Sequence, residues 1–506
     1  MAQSPYEQLE QEWRRLHTFR GALSLLRWDA AVMMPRGSAD VRGEQLATLE
    51  SECHALLTAP KVSRLLERAE ANRQCLEDWQ VANLREMRRQ RDHAIALPVR
   101  LITRLAKATA AAEAGWIGAQ QSGFATLVPL LEEVLQLTRD RAALLGQALN
   151  LPPYDALLDL YSPGITADEV EQIFRALGRR LPQLINETIV AQQRDPALAL
   201  TGKFAPGKQR QLAMEVMRAI GFPFDRGRLD EAPHPFTEGV HGDVRVATHF
   251  RNTDVFHGLL GALHETGHAL YDMGLPREWR DQPVGRDRGV ALEQSQALLL
   301  EMIVARSRAF VAYLRPLLGK YFDVSGPEWE PENIYRQLTR VQRSCVRIDA
   351  DELTYPVHVM IRFELERELL DGKLAVRNLA EAWNAAMESR LGVRPQTDVE
   401  GCLQDVHWAL GSFGYFPAYA LGGVIAAQLN EAMRRDLRSL DSEIANGDFR
   451  NMYEWLGKNV YMHGARIPMP QLLKEATGKP LSAASAVRYL EAKYLDVDKA
   501  QGSAAA

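Results

Sequence analysis

Cysteine is scarce. Cys53, Cys75, Cys345 and Cys402 are the four in 506 residues, and no two form a C-x-x-C pair. That excludes a disulfide framework and a zinc ribbon. The four are expected as buried thiols in a reduced compartment, the cytosol by default. No run of 18 apolar residues occurs, so no membrane span is expected. The first stretch, Met1 to Arg20, carries Glu7, Glu10, Glu12, Arg14 and Arg15 among its apolar residues. It reads as an amphipathic helix and not as a signal peptide with an apolar core. Neither sign of charge dominates: 60 Lys and Arg stand against 65 Asp and Glu, a net charge of −5. A strongly basic nucleic-acid binder is thereby excluded. Hydrophobic residues at 46% and charged residues at 25% exclude disorder for the bulk of the chain. No internal repeat at a period of about 20–50 residues is found.

What is there is helical periodicity. Apolar residues recur at i, i+3, i+4 and i+7 over Tyr6–Arg20, Arg42–Leu57, Lys61–Arg88, Leu97–Gln121, Leu127–Gly146, Ala167–Gln193 and Lys208–Ile220. The pattern continues over Val255–Met273, Ala291–Leu314, Asn333–Val346, Pro356–Leu370, Leu379–Ser389, Val424–Leu437 and Asp441–Met452. Strand-like alternation is confined to Phe236–Phe250, where Val240, Val244, Val246 and Thr248 predict a short hairpin. Asp195–Gly207, Phe222–Pro235, Gly274–Gly289 and Gly372–Thr397 read as loops. The expectation is one all-α body over residues 1–500, in one or two lobes around a cleft, with a frayed tail at 501–506.

The chemistry sits in Leu263-His264-Glu265-Thr266-Gly267-His268-Ala269-Leu270, an H-E-x-x-H pattern in an apolar helical stretch. Four residues advance roughly 400°, so the imidazoles stand about 40° apart on one helix face. They are placed to bind one Zn²⁺ through two nitrogens. Glu265, beside them, can take a proton from the attacking water. A zinc hydrolase needs a third ligand and an open position. Asp272, Met273 and Gly274 follow the motif, so no H-x-x-G-x-x-H continuation supplies that ligand. The stretch from Leu292 to Glu301 offers Glu293, Gln294 and Glu301.

The motifs together resemble the carboxypeptidase Taq family of metallocarboxypeptidases, over nearly the whole chain. Trp28-Asp29 and Met33-Met34-Pro35 match its W-D and M-M-P segments. His234-Pro235-Phe236 and Asp243-Val244-Arg245 resemble H-P-F and D-x-R-x-T. Arg347 to Tyr355 is similar to the I-R-x-x-A-D region. Gly401 to Trp408 fits G-x-x-Q-D-x-H-W, and Gly414 to Tyr419 fits G-Y-F-P-x-Y. The resemblance implies an almost all-helical, saddle-like fold with a deep groove, a homodimer and a divalent metal. It also implies release of single residues from peptide C-termini with broad specificity, C-terminal Pro being disfavoured.

The departures concern the site itself. The family's H-E-S-Q segment, whose Glu is the third ligand, aligns with Glu293-Gln294-Ser295-Gln296. An amide then stands at the carboxylate position. Ala247 replaces the Thr of D-x-R-x-T, with Thr248 next. Gly423 stands where many relatives have Asn. The Gln294 carbonyl oxygen can coordinate metal but carries no charge, so affinity should fall. Glu293 is the alternative third ligand, although about 100° away around the helix. Glu301 lies roughly 10 Å further along and would need a distorted helix to reach the same ion. Zinc is the expected metal, one per subunit, with cobalt or manganese as substitutes.

The resemblance also implies roles around the metal. His407, Tyr415 and Tyr419 are candidate donors to the tetrahedral oxyanion, with core packing as the alternative for each Tyr. Arg347 is the preferred partner for the substrate carboxylate. Arg245 is the other candidate, or a structural partner of Asp243. His234 lines the pocket or stabilises a turn, and Asp405 orients His407 or a ligand imidazole. The expected function is a metal-dependent carboxypeptidase with Glu265 as general base. The main alternative is a catalytically impaired peptide-binding relative of the same fold, which the Gln294 exchange favours. An endopeptidase or dipeptidase is a third reading, to be separated by blocking the substrate C-terminus. A purely structural scaffold gives no reason for the clustered His, Glu and Arg.

Overall fold

Helices account for nearly all of the regular structure in the computed structural model, which describes residues 3–495. The tail expected at 501–506 lies outside them. Their ends are set by local chemistry. Pro5–Val32 starts on a Ser4–Glu7 capping box, and Ala167–Arg194 on the matching Thr166–Glu169 pair. Several further helices open with Pro in the first turn, where its missing N–H costs nothing. Among the described residues, no helix is long and apolar enough to cross a membrane.

Four expected helices are interrupted. Lys61–Arg88 divides into Pro60–Ala71 and Asp78–Ile95. Asn72 turns its side chain back onto the Arg68 carbonyl, and Glu77 starts a new capping box. Asn333–Val346 stops at Leu338, and the next residues are held by the remote Gln192 and Asp351 side chains. Asp441–Met452 breaks at Gly447, whose φ of 75° lies in the left-handed region. Ala291–Leu314 becomes Val290–Leu298, a π-helical turn over Leu299–Val304, and Arg308–Phe322. Met469–Thr477 and Ala483–Leu495 are helices that the periodicity did not separate from loop.

The expected hairpin is present as β2 (Phe236–Val240) and β3 (Asp243–Thr248), paired antiparallel. A third strand, β1 (Gly227–Glu231), lies within the stretch read as loop and pairs parallel to β3, in the order β1-β3-β2. Val244 and Val246 point into the core. The sheet packs on the Val255–Gly274 helix, whose other side meets Val290–Leu298, and that helix in turn packs on Pro417–Asp436. The thiols divide: Cys53 and Cys402 are buried as expected, whereas Cys75 is exposed and Cys345 half-buried. Cys75 ends a short helical turn that buries nothing, which is why it stays at the surface.

Candidate metal and catalytic site

His264, Glu265 and His268 lie on Val255–Gly274, whose N-terminus is capped by Asp254. The imidazole centroids are 5.1 Å apart. Gly267 explains how a second helix comes so close. A Cβ there would lie 2.6 Å from both Ala297 Cα and the Gln296 carbonyl. Gly422 does the same from the other side, since its Cβ would meet Gln294 Cγ at 2.9 Å. The Val290–Leu298 helix that carries Gln294 is thus clamped between two helices, each bare of side chain at the contact.

The two histidines are oriented by carboxylates. His264 Nδ1 lies 2.9 Å from Glu301 Oε2, and Arg306 donates to the other Glu301 oxygen at 2.8 Å. Burial favours a neutral Glu301, but the His264 hydrogen bond and Arg306 outweigh it and bring its carboxyl down to about 2. Glu301 was expected to bind the same ion only on a distorted helix. A π-helical turn does span Leu299–Val304, and Glu301 meets the His264 ring nitrogen that faces away from Gln294. The Gln294 amide lies 3.3 Å from His264 Nε2. Amide N and O exchange places by a simple flip, so the carbonyl oxygen can occupy the same spot. His268 Nδ1 lies 3.4 Å from Glu293 Oε1. Glu293 therefore meets the side of His268, not the Nε2 edge of His264.

These donors fit a divalent ion. With Nδ1–H of His264 held by a carboxylate, Nε2 keeps the free lone pair, the arrangement common to metal-binding histidines. Among the described residues, no group of three His, Cys, Asp or Glu could hold an ion. The third donor beside the histidines is the neutral Gln294 amide.

Glu265 is buried, and Thr237 Oγ1 lies 2.8 Å from its Oε2 and 3.0 Å from its backbone carbonyl. Thr237 on β2 is a site residue that sequence reasoning did not single out. Its only signal is its place one residue after His234-Pro235-Phe236.

A second cluster is built on Arg347 to Asp349 and the Gly401–Tyr419 region. Asp405 accepts from Arg347 at 2.7 Å and from Arg362 at 2.6 Å. Burial would raise the Asp405 carboxyl, but the two guanidiniums hold it well below the usual carboxylate range. Two cations share one anion, so one positive charge remains uncompensated. Arg347 also donates to Tyr355 at 3.2 Å and lies over the Tyr419 ring. Gln404 accepts from Arg362 and from the Arg347 backbone. Tyr355 and Gln404 are further residues of the cluster that the motifs contain but the sequence does not rank, and Arg362, on the Tyr355–Leu370 helix, lies outside the motifs.

His407 Nε2 lies 3.3 Å from Tyr419 Oη, and its ring meets those of Phe416 and Tyr415. Burial, the largest cause, together with Arg347 and Arg362, lowers His407 to about 4 against the pull of Asp405. It is neutral at pH 7. Its Nδ1 is 3.8 Å from Asp405, so that carboxylate is committed to the arginines rather than to orienting His407. Burial, with the Glu293 charge adding to it, pushes Tyr415 up to about 12.

Arg245 and His234 are the other two candidates for substrate contact. Arg245 forms a two-point pair with Asp243, at 3.0 and 2.8 Å, and stacks on Trp28. His234 is exposed.

The comparisons with known proteins agree with this architecture. The family model "Carboxypeptidase Taq (M32) metallopeptidase" matches residues 8–494. Thermostable carboxypeptidase 1 of Thermus thermophilus is 34% identical over 499 residues, covering 96% of this chain and 97% of that one. Carboxypeptidase 1 of Bacillus subtilis is 30% identical over 483 residues, covering 95% and 96%. Among solved structures, metallocarboxypeptidase 1 of Trypanosoma cruzi superposes with a TM-score of 0.95 at 38% identity, covering 97% of this chain and 99% of that one. The M32 carboxypeptidase of Deinococcus radiodurans gives 0.91 at 35% identity, covering 97% and 98%. The chain belongs to the carboxypeptidase Taq (M32) family of metallopeptidases. It is accordingly a metallocarboxypeptidase, a peptide hydrolase of a family that requires a divalent metal.

Proposed function

We propose that the chain releases single amino acids from free peptide C-termini, with broad side-chain tolerance and with C-terminal Pro disfavoured. The observation that carries this reading is the buried Arg347–Asp405–Arg362 group, which keeps one positive charge for a carboxylate. The Pro417–Asp436 helix links it to the histidines, because it carries both Tyr419 and Gly422, the latter against Gln294.

His264, His268 and Gln294 would hold the ion. Zinc suits two imidazoles best, and cobalt or manganese can replace it. When bound, such an ion polarises the scissile carbonyl and acidifies the attacking water. Glu265 takes the water proton and passes it to the leaving amine, with Thr237 fixing one of its oxygens. Tyr419 and Tyr415, un-ionised at neutral pH because they are buried, keep their protons to donate to the oxyanion. His407, also neutral, orients Tyr419. Arg347 binds the substrate carboxylate, and Tyr355 borders the same pocket.

The second reading, a peptide binder without hydrolysis, is favoured by one feature, the neutral Gln294. An N-acetylated peptide, its C-terminally amidated twin and the Glu265→Ala variant separate the two. Mass spectrometry of the zinc-loaded protein should show stepwise loss from the free acid alone, absent in the variant. No cleavage despite bound metal would leave the binder. Cleavage of the amidated peptide at internal bonds would point to an endopeptidase.

A further inference from the structure

Relative to the family pattern, this chain changes two adjacent positions together. Gln294 removes a carboxylate from the ligand position, and Glu293 introduces one in the residue before it. On a helix these two side chains point about 100° apart, so the new carboxylate does not return to the same place. It arrives instead against His268 Nδ1, at 3.4 Å. That nitrogen is buried and makes no hydrogen bond, so the contact is one of charge alone. His264 has a hydrogen-bonded carboxylate there, Glu301, at 2.9 Å. Both imidazoles therefore have a carboxylate beside Nδ1, and in His264 the hydrogen bond also directs Nε2 toward an ion.

We propose that Glu293 acts through His268 to restore to the metal site the negative charge that Gln294 lacks. Coulomb attraction falls only as 1/r, so a carboxylate one imidazole further out keeps part of what a directly bound one supplies. Glu293 is thus a positioning residue, and the Glu293–Gln294 pair is a relocation of charge rather than a loss of it. The inference rests on the reading that His264 and His268 bind the metal.

The test is metal affinity of the purified, metal-stripped full chain, by competition with a chromophoric chelator for Zn²⁺ and separately for Co²⁺. Glu293→Gln should weaken binding by about 10–100-fold, the range seen when such outer partners are removed. Adding Gln294→Glu to Glu293→Gln should recover the lost affinity, because a carboxylate at the ion supplies at least the charge that one further out does. Circular dichroism of the stripped proteins checks folding, and Glu293→His, which installs the family's own residue, serves where Glu293→Gln does not fold. Wild-type affinity in both Glu293 variants would overturn the proposal. No recovery of affinity in the Glu293→Gln, Gln294→Glu double variant would overturn it as well, since Glu293 would then merely hold His268. His268→Ala separates the two levels. If it binds metal as the wild type does, the metal site itself is misassigned and the inference falls with it. If it abolishes binding while Glu293→Gln does not weaken it, only the inference falls.

Discussion

Arg347 and Arg362 hold opposite oxygens of the single Asp405 carboxylate, at 2.7 and 2.6 Å, in a pocket where all three side chains are less than 10% exposed. Removing Arg347 leaves a neutral Arg362–Asp405 pair and no surplus charge. Arg347→Ala should therefore lower kcat/KM on free-acid peptides by about 10²–10³-fold, the loss of one charge-assisted pair. Its preference for free acid over amide should shrink in parallel. Parallel kinetics on the two peptides check this, and an unchanged preference would assign carboxylate recognition elsewhere.

Glu265→Gln should keep metal binding and lose about 10²–10⁴-fold in kcat, because the amide cannot take a proton. Thr237→Val should cost less, since it frees Glu265 Oε2 without removing the base. Metal content by mass spectrometry beside steady-state kinetics distinguishes the two roles. A kcat near wild type for Glu265→Gln would remove it as the base.

Gly267→Ala should separate the two helices that carry His268 and Gln294. The new methyl would sit 2.6 Å from backbone atoms, which cannot swing aside. Overpacking of this kind costs about 1–3 kcal/mol. Urea unfolding should show that loss, and chelator competition a weaker metal site. Wild-type values for both would mean that the helices slide apart freely.

Glu366 gives a pH dependence. It is buried beneath the His407 segment, accepts from Tyr154, from Trp408 Nε1 at 3.1 Å and from the Gly414 backbone, and is raised by burial from 4.5 to about 7. The folded chain thus binds a proton that the unfolded chain has released between those two values. Stability from this group is present below about pH 4.5 and declines as pH rises to about 7, by roughly 3 kcal/mol. Glu366→Gln should flatten that decline. Urea midpoints at pH 5 and pH 7.5 test it, and an equal slope in both proteins would show that Glu366 stays ionised throughout.

The proximity of His264 to His268 is legible from four-residue spacing, because helix geometry is local. Gln294 beside His264 is legible only through the alignment with related motifs. Glu301 was not legible as a partner of His264, since the sequence presents it only as a candidate ligand to the ion and the π-helical turn that carries it is decided by packing. β1 escaped because Gly227–Glu231 buries only Leu229 and shows no alternation. The end of the helix at Leu338 escaped for another reason: what replaces it is extended chain held by Gln192, nearly 150 residues away. Arg347 and Arg245 looked alike as motif arginines. Their difference lies in surroundings, one buried with a shared anion and the other half-buried with an anion of its own.

The π-helical turn at Leu299–Val304 makes chain length itself part of the site. A wider turn accommodates one residue more than a regular one, and that surplus sets the phase between everything before it and everything after. A shortened chain lacking Leu299 or Leu300 could keep Gln294, Glu301 and Arg306 and still fold as a straight helix. Its side chains would then point along different bearings, and Glu301 would no longer meet His264. In this stretch, counting residues matters as much as naming them.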